Sequence, residues 1–363
     1  MKKSPRSTTL TLAMLAMLFA LAIPAAAQSC DRPCLEGFVD EYLDALVATD
    51  MSLLPTTPDV RMTEDGVRLP LGDGFIRSVI AKGSYRMIVA DTETDNVVFL
   101  GTVREEGRGA PGDPVVLAAR LKVDGDAVSE IEATLIRNPQ AARLLEENGP
   151  DPLYMRPIPD DQVQSRGELI ATANAFYTGM EQNDGQGPYP FADSCERMEN
   201  GMKVTHNPAH NPNTGFLSNT GTWADAKGKG KGKGKGKGGP PMPAGMNPSE
   251  LGCREQMESG FYGFTTQVRD RRFVAVDQER GLVAAFVYFD YAAGPHREVT
   301  LGDGSTIEAG PTRPFTAERV DIFKAASGEI QRVESVWQQV PYRMGSGWST
   351  HAAAMSSEPV DYQ

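Results

Sequence analysis

Five side chains in the second half of the sequence could do acid–base chemistry: Tyr177, Asp193, His206, Tyr288 and Asp290. A carboxylate or imidazole can take a proton from the carbon beside a carbonyl while a tyrosine hydroxyl holds the developing oxyanion. In such a site His206 or Asp193 is the base and Tyr177 or Tyr288 the acid, and no cofactor is required. Each residue also has a structural reading: Tyr177 as a core residue with its hydroxyl at the rim, Asp290 as a strand-end turn residue. The run from His206 to Pro212 holds two of the four histidines. Pro208 and Pro212 argue against the helix on which histidines four apart would share a metal. No metal site is expected there, and the run reads as a polar proline loop.

The elements that must carry these residues occur twice. Tyr177 lies in the amphipathic stretch Ala173 to Asp184, matched earlier by Phe38 to Asp50, where Phe38, Tyr42, Leu43 and Leu46 share one helical face. Asp193 and His206 flank Arg197-Met198-Glu199-Asn200-Gly201, which repeats Arg61-Met62-Thr63-Glu64-Asp65-Gly66 one residue shorter. Tyr288 and Asp290 fall on one face of a strand. That strand closes a hairpin, 271–277 into 281–288, whose counterpart is 85–91 into 96–100. Further on, Ala119 to Val123 matches Glu318 to Ile322, and Val128 to Leu135 matches Ile330 to Trp337. Glu132 and Glu334 then hold equivalent places, on the strand face opposite Val333 and Trp337. Arg120 and Arg319, also in equivalent places by this match, are the expected charge partners of the two glutamates. The chain thus reads as a tandem duplication, each copy a helix followed by long antiparallel strands. Residues 138–165, with Pro139, Pro150, Pro152, Pro157 and Pro159, form the linker.

The 363 residues carry 36 Lys plus Arg against 48 Asp plus Glu, a net charge of -12. That balance makes nucleic acid an unsuitable partner for the body of the protein. Lys2, Lys3 and Arg6, an apolar run from Leu10 to Ile23, and Ala25-Ala26-Ala27 form the pattern of a signal peptide over residues 1–27. Its removal takes -12 to -15, and the mature chain has no apolar run long enough to span a membrane. A secreted or periplasmic location follows. The Lys-Gly tract 227–239, with six lysines, masks a body near -21. Those lysines would attract phosphate or acidic polysaccharide, but the tract reads first as a solvated low-complexity loop. Four cysteines in an oxidising compartment allow three pairings. The pairing expected is Cys195 with Cys253, closing a 58-residue loop around the insertion 204–250, and Cys30 with Cys34 locally.

The combination of Phe191 to Gly201, Gly252-Cys253-Arg254-Glu255-Gln256 and Arg269 to Phe273 with Asp277 to Val283 resembles an uncharacterised family of secreted fungal and bacterial proteins. The order of elements is similar to the nuclear-transport-factor-two-like (SnoaL-like) fold of polyketide cyclases, ketosteroid isomerase and scytalone dehydratase. The resemblance implies an α+β class: two tandem cone-shaped, cystatin-like domains, 30–137 and 166–345, each a curved antiparallel sheet packed with helices. Residues 346–363 are a C-terminal tail. Relatives of this fold often pair through their sheets, so the two domains are expected to do so within the chain. The resemblance also implies a pocket between helix and sheet, here in the second domain. A small apolar ligand is the expected occupant. The alternative is a cofactor-independent dehydratase, isomerase or cyclase.

Overall fold

The computed structural model describes Met1 and residues 30–107, 111–187, 189–210 and 247–363. The expected signal segment and the Lys-Gly tract lie outside the described residues.

The first copy begins with α1 (Arg32–Ala48). Its N-cap Asp31 accepts a hydrogen bond from the Cys34 amide, Pro33 pre-sets the first turn, and Thr49 ends the helix at φ +56°. Leu35, Val39, Tyr42, Leu43 and Leu46 form the buried stripe. Six strands follow: β1 (Thr56–Glu64), β2 (Val67–Leu69), β3 (Val79–Asp91), β4 (Asn96–Glu105), β5 (Asp113–Asp124) and β6 (Ala127–Ile136). They form one sheet in the order β2-β1-β6-β5-β4-β3. The linker contains α2 (Pro139–Asn148). The second copy starts with α3 (Arg166–Gln182), capped by a reciprocal Ser165–Glu168 box. Then come β7 (Phe191–Glu199), β8 (Met202–Lys203), α4 (Cys253–Glu258), β9 (Gln267–Asp277) and β10 (Leu282–Tyr291). A small hairpin of β11 (Glu298–Thr300) and β12 (Thr306–Glu308) precedes β13 (Phe315–Ala326) and β14 (Glu329–Val340). The short α5 (His351–Ala354) and β15 (Pro359–Asp361) complete a seven-stranded sheet, β15-β9-β10-β13-β14-β7-β8.

The class is α+β, with two large curved sheets and few helices. The sheets are mixed rather than antiparallel as expected. β3 to β6 and β9, β10, β13 and β14 are antiparallel meanders, but each last strand comes to lie parallel to the strand that opened its copy: β6 beside β1, and β14 beside β7. β15 adds a third parallel pair with β9.

Because each sheet has a helix on one face and the other sheet on the opposite face, the central strands β10 and β13 are buried along their whole length. Odd residues of β13 such as Phe323 face α3, whereas Val320 and Ile322 meet Val98, Leu100 and Val116 of the first copy in a shared core. Two ion pairs cross between the copies in matching places. Arg32, the first residue of α1, donates to Asp277 at the end of β9 (2.6 and 2.8 Å). Arg166, the first residue of α3, donates to Asp91 at the end of β3 (2.5 Å).

The register corrects the match between the copies. Arg120 lies opposite Glu132, and Ile322 lies opposite Glu334. Ile322 is therefore the counterpart of Arg120, and the sequence match of β5 with β13 was three residues out. An odd slip puts a side chain on the other face, so Arg319 points to the α3 side and does not pair with Glu334. The segment 346–363, read as a tail, is built into the molecule. Trp348 donates to the Thr63 hydroxyl (2.7 Å) beneath the Arg61 guanidinium, 4.0 Å from the ring centre. Among the described residues, no helix is long and apolar enough to cross a membrane.

Candidate binding site

In the corrected register, four positions distinguish the interiors of the two copies. Leu117 and Arg319 correspond, as do Ala119 and Asp321, because Leu117 faces Leu135 where Arg319 faces Trp337, and Ala119 faces Ala133 where Asp321 faces Ser335. Met62 opposite Ile131 corresponds to Arg197 opposite Val333. Counting from the N-caps Asp31 and Ser165, Leu43 corresponds to Tyr177. The first copy's Leu43, Met62, Leu117 and Ala119 belong to one apolar core beneath α1. The second copy's residues form a charged network under α3.

The Tyr177 hydroxyl donates to Asp321 Oδ2 at 3.0 Å. Arg319 Nη2 reaches Asp321 Oδ1 at 3.3 Å and Glu199 Oε1 at 3.4 Å. Arg197 donates to the same Glu199 oxygen (2.8 Å) and to Gln256 Oε1 (2.5 Å). Two guanidiniums and two carboxylates balance, which is what makes their burial tolerable. Burial alone would raise the Glu199 carboxyl, but Arg319 and Arg197 outweigh it and hold it below the ordinary range. Burial, reinforced by the Asp321 charge, pushes the Tyr177 phenol well above its usual value, so it stays a neutral hydroxyl. Burial likewise lowers the nearby His210, with Glu199 opposing.

Aromatic rings wall the network. Phe176, Phe273, Phe289 and Phe323 surround Tyr177 at 5.6 to 5.9 Å between ring centres. Arg319 lies over Phe289 (4.6 Å) and Arg197 over Phe176 (5.2 Å). The Cys195–Cys253 disulfide, with Cα atoms 5.8 Å apart, ties β7 to α4 one rung from the Arg197–Gln256 contact. The network reaches partial exposure at Glu199, whose side chain is 15% exposed. Glu199 also borders a shallow surface notch shared with Asn138, Gln140 and Met202.

The five acid–base candidates from the sequence do not converge. Tyr177 sits in this network. Tyr288 lies on the opposite face of the sheet, where its hydroxyl donates to Glu318 (3.1 Å) between the two copies. Asp193 is exposed on β7, and His206 is exposed in a left-handed turn at φ +47°. Asp290 is fully buried against Arg269 (2.8 and 3.0 Å), a structural ion pair rather than a turn residue. Sequence reasoning missed Arg197, Glu199 and Asp321, and gave Arg319 a different partner. The signal for them was the exchange of Leu117 and Ala119 for Arg319 and Asp321, legible only once β5 and β13 are in register. Both expected disulfides, Cys30–Cys34 and Cys195–Cys253, are present. Among the described residues no cluster of His, Cys, Asp and Glu is arranged to hold a metal ion.

The model of the family described as a domain of unknown function (DUF8021) matches residues 28–135 and 162–337. The chain belongs to that family, and the two matched stretches accord with its repeated organisation. No curated protein matches the chain. Among solved structures, it is similar to the crystal structure of AclR, a candidate hydroxylase from Streptomyces galilaeus, at 18% identity. That likeness covers 35% of this chain and 89% of AclR, with a TM-score of 0.24.

Proposed function

We propose that this DUF8021 protein is an exported, tandem SnoaL-like protein whose second domain binds a small molecule with an apolar body and one polar end. One observation carries the reading: four positions that are Leu43, Met62, Leu117 and Ala119 in the first copy are Tyr177, Arg197, Arg319 and Asp321 in the second. The same fold is built with apolar side chains at those places, and buried ion pairs are poor sources of stability compared with packed hydrophobic residues. The charged set is then better explained by recognition than by folding. The aromatic wall suits an apolar body, and the tyrosine and guanidiniums suit a carbonyl or hydroxyl. Two disulfides fit an oxidising compartment. In this reading the first domain is a scaffold.

The test installs the first copy's residues in the second: Tyr177→Leu, Arg197→Met, Arg319→Leu and Asp321→Ala together. The probe is 6-propionyl-2-(dimethylamino)naphthalene, an apolar ketone whose emission shifts to the blue when water is excluded. Wild type should show a saturable blue shift, and the fourfold variant should fold and lose it. Equal binding by the folded variant would overturn the reading. So would absence of binding by wild type to this ketone and to a panel of apolar carbonyl compounds.

The buried Tyr177–Asp321 contact favours one second reading, general acid–base catalysis of the isomerase, dehydratase or cyclase type. Asp321 then takes the base role first given to His206 or Asp193. Tyr177→Phe separates the two: turnover lost with binding retained indicates chemistry, whereas a purely binding site loses affinity.

A further inference from the structure

The two sheets differ at equivalent edges. β3 is the last strand of its sheet, but its counterpart β9 is covered by β15, which lies parallel to it with Pro359, Val360 and Asp361 beside Arg271, Arg272 and Phe273. The segment Ser356–Gln363 is held like a ligand laid in a groove. Backbone bonds run from the Asp270 amide to Ser356 O and from the Tyr362 amide to Phe273 O, both 3.0 Å. The Asp361 carboxylate takes three hydrogen bonds from Arg166, at 2.7, 2.9 and 3.0 Å. The Tyr362 ring lies under the guanidiniums of Arg120 (5.0 Å) and Arg272 (5.8 Å) and meets Trp348 edge-on.

The receptor side is held in place by ion pairs of its own, whereas most of the segment is exposed. Arg120 and Arg272 are buried and held by Glu132, while Arg166 is held by Asp91. Pro359, Val360, Asp361 and Gln363 are all exposed. In the matching place of the first copy, no strand among the described residues is added beside Arg32. Its second carboxylate is Glu279, from the opposite copy. The groove therefore offers three recognisable elements: the outer edge of β9, an arginine fork for one carboxylate, and a cationic cradle for one aromatic ring.

We propose that the edge of β9 is a peptide-docking groove. Its occupant is an extended segment carrying an acid followed by an aromatic residue, and Ser356–Gln363 fills it in cis as a competitor. A partner protein presenting that pattern on an exposed strand would displace the segment and add its own strand to the sheet.

The test uses the full chain and a fluorescent synthetic peptide of residues 356–363. Wild type should bind the peptide weakly, because its own segment competes. The Asp361→Asn/Tyr362→Ala variant, with unchanged thermal unfolding, should bind it at least about tenfold more tightly. A further Arg166→Gln change, or an Asp361→Asn peptide, should remove that gain. A folded double variant that binds no peptide overturns the proposal. If the double variant does not fold, hydrogen exchange at the Tyr362 amide of wild type decides. Excess peptide should accelerate it, and an unchanged rate overturns the proposal.

Discussion

Glu132 and Glu334 hold equivalent places on the last long strand of each copy, and both are buried between the sheets. Their surroundings are opposite. Glu132 accepts two hydrogen bonds from Arg272 (2.7 and 2.8 Å) and one from Arg120 (3.3 Å). The residues that would clamp Glu334 in the same way are Ile322 within its own copy and Met87 across the interface. Both are apolar. Glu334 faces the phenols of Tyr85 and Tyr154 instead, and burial pushes its carboxyl up to about 8. Duplication thus kept the glutamate and the sheet contact while the charge that neutralises the glutamate survives on one side only. Two identical side chains on one scaffold are held in different electrostatic surroundings by what lies one strand away.

The largest effect expected from breaking this contrast is at Glu132. Glu132→Gln leaves Arg120 with Glu130 and Arg272 with a longer contact to Asp270 (3.5 Å). Stripping the anion from a buried pair typically costs about 3 to 5 kcal/mol. The urea midpoint should fall accordingly, with little change in the slope of the transition. If Glu132→Gln and Glu334→Gln cost the same at pH 6, the two sites do not differ as described.

The disulfides give a second contrast of intermediate size. Cys195–Cys253 closes 58 residues and staples the charged interior of the second copy, whereas Cys30–Cys34 closes a separation of 4 at the start of α1. Chain-entropy reasoning assigns about 4 kcal/mol to the long loop and about 2 to the short one. The Cys195→Ala/Cys253→Ala protein should therefore lose roughly twice the stability of the Cys30→Ala/Cys34→Ala protein in denaturant unfolding. Equal losses would show that the staple is not a greater constraint on the second copy.

Features that depend on one segment alone were legible in the sequence. The helices of both copies, the hairpin 271–288, the cysteine pairs and the duplication itself follow from periodicity, spacing and composition. Features that depend on which strand lies beside which were not. Ala119 to Val123 and Glu318 to Ile322 both alternate, so an alignment three residues out satisfies the same pattern while moving Arg319 and Asp321 to the wrong face. Parallel pairing of β1 with β6 leaves no local mark, because it is decided by the return of a meander some seventy residues later. Tyr177 was found because a tyrosine on an amphipathic helix stands out. Glu199 and Arg197 stand in the sequence only as part of a repeat, and their role shows only because Met62 is buried and apolar in the other copy.

The effect most specific to Glu334 is a dependence of stability on pH. An ordinary glutamate ionises near 4.5, and in the folded protein this one does so at about 8. Between those values the folded state holds a proton that the unfolded chain has released. Its contribution is therefore full below pH 4.5, falls as pH rises through 4.5 to 8, and changes no further above that. One such proton corresponds to about 1.4 kcal/mol per pH unit. Glu318, raised to about 7 by burial and by Asp65 against the opposing bonds of Gln338 and Tyr288, adds to the same slope. Glu334→Gln should then remove roughly half of the stability lost between pH 5 and 8, measured by denaturant unfolding at each pH. The groups facing Glu334 are Tyr85 from β3, Tyr154 from the linker and, farther off, Asp151. Asp151 is itself held below the ordinary range, where Arg332 and the Leu153 amide outweigh its burial. None of the three changes charge within that window, so a pH slope unchanged in Glu334→Gln would mean that the carboxyl is already ionised at neutral pH. The contrast with Glu132 would then be one of partners and packing alone.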